Sequence, residues 1–188
     1  MALFAFESFP KLQTIRTELV EFESGLAGDI FAVRSDPVVQ LYNSSPHQTL
    51  EKTRYSIAEQ RQKFSEKTEI IWGIRLRELN RVIGSVSLFG WDRYHRRAQI
   101  GYDMAKEHWG QGLAYEAIRA VLKFAFEHMD LNRIEIWTSA ANARSLRLAR
   151  RLGFQLEGTL RRRILEDDAA FYDCAIFGLL RQDWMSAT

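Results

Sequence analysis

The stretch DMAKEHWGQGLAYEAIRAVLKFAFEH, Asp103 to His128, limits what this chain can fold into more than any other. From Gly112 onward its apolar residues Leu113, Ala117, Val121, Leu122, Ala125 and Phe126 recur at three- and four-residue spacing, the pattern of one buried helical stripe. A strand-like run, RRAQIGYDMA (Arg96 to Ala105), stands directly before it. A strand that delivers into a buried helix belongs to a layered domain in which helices cover a sheet. At the junction sit Gly110 and Gly112. A helix N-terminus presents unpaired N–H groups and partial positive charge, and glycines there let an anion approach the bare backbone. Paired glycines also serve a plain tight turn, so these residues alone leave both readings open.

The remaining elements follow from periodicity and breakers. Thr14–Phe22 is strand-like, Ser24 caps a helix through about Arg34, and Pro37 breaks it. Thr49–Lys67 predicts a polar amphipathic helix with Leu50, Tyr55 or Ile57, and Phe64 on its apolar side. EIIWGIRL and RVIGSVSLFGW predict two strands joined at RELNR, and RIEIWTS a further strand after the central helix. NARSLRLARRLGF predicts a short helix ended by Gly153 in a left-handed cap. Two long strands, FQLEGTLRRRILE and AFYDCAIFGLLRQDW, close the chain across a DDAA turn. The expectation is an α+β (mixed α/β) fold in one domain, residues 1–188, with helices on both faces of a mixed sheet.

Bulk properties remove several function classes. At 188 residues one hydrophobic core suffices, and no apolar run reaches the roughly 20 residues of a membrane span. The opening MALFAFESFP lacks a basic start, so a cytoplasmic location is expected. Cys174 is alone and has no internal partner for a disulfide, and the four histidines show no metal-ligand spacing. A net charge of +2 is too slight for a nucleic-acid binder. The charges are nonetheless grouped: arginines cluster from Arg144 and at Arg161–Arg163, and acids at Glu166–Asp168. Solvated faces account for such runs, and a polyphosphate ligand would also use the basic ones. The acidic turn would likewise draw a cationic substrate.

About thirty residues after WGQGLA, the phrase SAANARSLRLARRLGF again follows a strand and opens a helix. Together the two resemble the GCN5-related N-acetyltransferase (GNAT) superfamily, whose W/Q/R-x-x-G-x-G/A motif cradles the pyrophosphate of acetyl-CoA. RRAQIGYDM, EHWGQGLAYEA, FYDCAIFGLLRQDW and the opening LQTIRTELV resemble the branch of ribosomal-protein N-terminal (RimJ/RimL-type) acetyltransferases, and the likeness covers nearly the whole chain. The resemblance implies a central, mostly antiparallel seven-stranded sheet in which the fourth and fifth strands splay to admit the pantetheine arm. It gives Met104 and Ala105 the backbone contacts to that arm. Trp109, Gly110, Gln111, Gly112, Leu113 and Ala114 would hold the pyrophosphate, and Asn142 would bond the pantetheine from the other side. Asn142 is equally suited to cap its helix. The implied partners are acetyl-CoA and an amine acceptor, a protein N-terminus or a small molecule, and the long final strands are of a kind that pair across a homodimer.

Acetyl transfer needs a neutral amine, an oxyanion donor and a proton for the leaving thiolate. The resemblance makes the backbone near Met104 the oxyanion donor. The tyrosine acid of many members is replaced by Ala149, and in this branch the serine of N-x-x-S, here Ser145, takes that role. A helical serine beside a cap is its plain alternative. Many relatives carry glutamate where this chain has Gln99, which accepts no proton. Asp103 shares a strand face with it and is the candidate base, with His95, Glu166 and Asp173 behind it. A weak base suffices for an α-amine, whose pKa of ~7.7–8.0 against ~10.4 for lysine leaves roughly 300 times more free amine at neutral pH. The alternatives are a small-molecule amine acetyltransferase, a non-catalytic acyl-CoA-binding module and a generic phosphate binder. The last lacks the G-K-[ST] that a metal-bound triphosphate requires.

Overall fold

A computed structural model describes residues 6, 8–165 and 170–187. The acidic turn Glu166–Asp168 and the predicted DDAA turn fall largely outside them. The strands are β1 (Leu12–Gln13), β2 (Thr17–Glu21), β3 (Glu69–Leu76), β4 (Arg81–Asp92), β5 (Arg97–Met104), β6 (Arg133–Ser139), β7 (Gln155–Leu165) and β8 (Phe171–Leu180). The helices are α1 (Ala27–Arg34), α2 (Pro37–Gln40), α3 (Leu50–Ser65), α4 (Leu113–Glu127), α5 (Ala143–Arg151) and α6 (Arg181–Ala187). All strands join one sheet in the order β1-β2-β3-β4-β5-β6-β8-β7, antiparallel except where β5 meets β6.

The sheet has eight strands where seven were expected. The predicted strand Thr14–Phe22 is half of a tight hairpin: Thr14 N–H donates to the Thr17 carbonyl (2.9 Å), and their hydroxyls meet at 2.8 Å. That turn folds Leu12 back onto Leu19. Pro37 does more than break a helix. It occupies the first turn of α2, whose N-terminus Asp36 caps by accepting from Val38 N–H (2.8 Å). The final predicted strand stops at Leu180, because Trp184 turns inward against Phe126 and the last residues coil into α6.

Alternation along β3 feeds two cores. Ile70, Trp72 and Ile74 pack with Val121, Leu122 and Phe126 of α4, while Ile71 joins Ile30 of α1 and Ile57 of α3 on the opposite face. Ile57 is buried and Tyr55 is exposed, which resolves the choice left open for α3. The predicted stripe of α4, Leu113 through Phe126, is buried throughout. Helix α5 ends at Gly153 with φ +93°, and Phe154 N–H bonds back to the Ala149 carbonyl (3.0 Å), the left-handed cap read from the sequence. No helix among the described residues is long and apolar enough to cross a membrane.

Candidate active site

Strands β5 and β6 pair only from Arg97–Arg133 to Gln99–Glu135. Beyond that point they part, and Ile100–Met104 faces Ile136–Thr138 across a cleft of roughly 720 Å³. The cleft runs from the N-terminus of α4 to α2. Its volume is in the range of small-molecule sites.

The glycine stretch shapes one end. Gly110 has φ +76° and Gly112 φ +79°, a region that residues with side chains rarely adopt. A Cβ on Gly110 would meet no protein atom within 4 Å, so it would project into the open cleft. Gly112 precedes the first residue of α4 and supplies no side-chain cap, and the N–H groups of Leu113, Ala114 and Tyr115 have no partner within the helix. Bare left-handed backbone, free helix N–H groups and nearby cations fit a diphosphate. The cations are Arg144, Arg147 and Arg151 of α5, which line the cleft. Arg144 stacks on the Trp109 ring (3.9 Å) and Arg151 on the Tyr115 ring (4.5 Å). Arg16 anchors the loop from outside through the Gln111 carbonyl (3.0 Å) and Glu116 (2.9 Å). Gln111 turns its own amide away to the Glu107 carbonyl (2.9 Å) and does not line the cleft.

On β5, Ala105 N–H donates to the Ile83 carbonyl (2.8 Å) and its carbonyl accepts from His108 N–H (3.0 Å), so its N–H is engaged within the sheet and its carbonyl keeps one lone pair. By the alternation of an antiparallel ladder, Met104 turns its backbone groups to the other edge, where β6 has departed. The Met104 carbonyl accepts from Trp109 Nε1 (2.6 Å).

Asn142 caps α5, its side chain accepting from Ser145 N–H (3.1 Å), and both residues line the cleft. Ser145 is buried, and its hydroxyl bonds Tyr102 Oη at 2.8 Å. Burial pushes the Tyr102 phenol up to about 12, against which the Ser145 hydrogen bond is a lesser effect. Sequence reasoning passed over Tyr102. Its signal was the two-residue period that sets Ile100, Tyr102 and Met104 on one face of β5.

Asp103 points to the opposite face, beneath α1. Its Oδ2 pairs with Arg34 Nε (2.8 Å), its Oδ1 accepts from Ser85 (2.7 Å), and Arg34 also reaches Ser85 (3.1 Å). Both of its oxygens are thus engaged, and it is the counter-ion of Arg34. The other base candidates stand away from the cleft. His95 lies in the turn between β4 and β5 against Tyr94, and Asp173 accepts from Arg162 N–H (2.9 Å). Glu166 is outside the described residues. Cys174 is buried, which raises its thiol pKa.

A splayed sheet with a glycine-built anion cradle at one end and an open mouth at the other defines a class of proteins that lay an elongated, diphosphate-bearing coenzyme between two strands. Residues 16–155 match the acetyltransferase (GNAT) domain family. Over 174 residues the chain is 33% identical to the uncharacterized N-acetyltransferase YoaA of Bacillus subtilis (strain 168), covering 92% of this chain and 98% of that one. It superposes on RimL, a ribosomal L7/L12 α-N-protein acetyltransferase in complex with coenzyme A, with a TM-score of 0.83 at 18% identity, covering 91% and 98% of the two chains. A ribosomal-protein-S5-alanine acetyltransferase from Vibrio fischeri gives 0.83 at 18%, covering 93% and 98%. At that identity the two structures establish the shared fold. The chain belongs to the GNAT acetyltransferase family, and it is an N-acetyltransferase that uses acetyl-CoA.

Proposed function

We propose that this enzyme acetylates the α-amine of a peptide or protein N-terminus. The observation that carries the reading is the pairing of Asp103: among the described residues it is the one acidic side chain lining the cleft, and it is bound to Arg34 and Ser85. The histidine on the cleft wall, His108, belongs to the turn before Trp109, at the diphosphate end. A site equipped in this way works best on an amine that arrives already neutral, and an α-amine does so far more often than a lysine.

The coenzyme supplies the acetyl group as a thioester. In this proposal Gly110, Gly112 and the first turn of α4 bind its diphosphate, aided by Arg144 and with Trp109, Leu113 and Ala114 closing the loop around it. Asn142 and Met104 flank the pantetheine. The Met104 N–H, turned to the open edge of β5, stabilises the oxyanion. Ser145 holds the proton for the departing thiolate at its Oγ. The proton that the attacking nitrogen sheds as the amide forms restores the Ser145 hydroxyl, and Tyr102, kept protonated by burial, bonds that oxygen and holds it in place. Gln99 and Asp103 keep structural roles.

The test compares two peptides under saturating acetyl-CoA: one with a free N-terminus and no lysine, the other N-terminally blocked with one internal lysine. Thiol release is expected to be at least roughly tenfold faster with the first. Equal or faster turnover of the lysine peptide would overturn the reading.

A further inference from the structure

The cleft wall carries Val38, Val39, Tyr42 and Asn43 from α2 and the turn after it, and Trp137 from β6. Trp137 sits on β6 beyond its last pairing with β5, on the face opposite the buried Ile136. It is 38% exposed, yet it is not loose. Its Nε1 donates to Glu135 Oε2 (2.9 Å), Glu135 Oε1 pairs with Arg133 Nε (2.7 Å), and the Arg133 guanidinium forks onto Glu157. Gly178, in register with Glu135 on β8, makes room for that fork, since a Cβ there would collide with Arg133 and Glu157. Glu135 is buried, and a buried carboxylate is costly without a partner, which Arg133 supplies. The result is one indole with its polar edge tied down and its ring held at the mouth of the cleft.

The charges around this mouth are equally telling. Among the described residues, the carboxylates on this face of β5 and β6 are both partnered, Asp103 by Arg34 and Glu135 by Arg133. Arg163 lies 5.9 Å from the Trp137 ring centroid, so the electron-rich ring already faces a cation. Among the described residues of these two strands, a second positive charge on the acceptor would find no open carboxylate, and it would meet Arg163.

We infer that Trp137, oriented by Glu135, selects the acceptor: the preferred amine adjoins a large aliphatic or aromatic group, which packs between the indole and Val38 and Tyr42, and polycationic amines are rejected. The inference rests on the proposed amine acetylation and narrows it to a substrate class.

The test uses the full chain with acetyl-CoA and two acceptor pairs, with kcat/KM measured by thiol release. The first pair is peptides of one sequence beginning with Leu or with Lys, the lysine ε-amine dimethylated. The second is phenethylamine against 1,4-diaminobutane. The apolar member is expected to win by roughly tenfold or more in each pair. Trp137→Ala is expected to cut that ratio to about twofold with the KM for acetyl-CoA unchanged, and Trp137→Phe to retain most of it. Preference for the charged member, turnover of no apolar amine, or a ratio that survives Trp137→Ala would each overturn the inference. If phenethylamine is favoured while neither peptide is acetylated, the N-terminal reading falls and the selectivity stands. If peptides react but Lys leads, the selectivity alone falls.

Discussion

The two ends of the cleft are built by different means. The glycine end is made within one short segment, Trp109–Ala114, and it presents the free main-chain N–H groups of the first turn of α4. The side held by α1, α2 and β6 is assembled from distant segments: Arg34 of α1 is tied to Asp103 of β5, and Trp137 of β6 is tied to Glu135, so its order comes from paired side chains. A backbone site depends on conformation, so it tolerates almost any neighbour but no change of glycine. A side-chain site depends on pairing, so its members can be exchanged if they are exchanged together.

The contrast is broken most severely at Gly112. Gly112→Val forces a β-branched residue into φ +79° and presses its side chain on the Arg16 guanidinium that anchors the loop, and acetyl-CoA affinity by calorimetry is expected to fall at least roughly 100-fold. Next comes Ser145→Ala, expected to lower kcat roughly 100-fold with acetyl-CoA affinity held within about twofold. A parallel loss of both would make Ser145 a structural support instead. At the other end, Asp103→Ala strands the Arg34 guanidinium and is expected to cost about 3 kcal/mol in urea unfolding, most of it recovered in the double variant Arg34→Met, Asp103→Leu. No recovery would undo the exchange-together rule. The smallest effect is one of pH. Tyr102 titrates near 10 when unfolded and near 12 when folded, so its contribution to stability is complete below pH 10 and is lost as pH rises toward 12. Tyrosinate absorbance should show one phenol lagging the others across that window, and Tyr102→Phe should abolish the lag.

The same contrast explains what could be read before folding. The glycine turn, the α4 stripe and the Gly153 cap were legible because each lies within one short segment whose period or conformation announces it. The splay of β5 from β6 was legible only through family resemblance. The partners of Asp103 were not: Arg34 and Ser85 lie 69 and 18 positions away, and nothing local marks a carboxylate as engaged. Glu135 and Trp137 sit two apart on a strand, which announces a shared face but not that the face is left open. The hairpin at Thr14–Thr17 was missed because two threonines inside a β-rich run look like strand until their hydroxyls close a turn.

Trp109 has a practical consequence. Its indole N–H is bonded to the Met104 carbonyl and its ring is covered by Arg144. A ligand bound against that carbonyl or that ring changes the polarity around the indole. The protein therefore carries its own optical gauge of cleft occupancy: a fluorescence response to ligand that shrinks in Trp109→Phe, with Trp137 left to report the remainder, would count bound sites with no label attached.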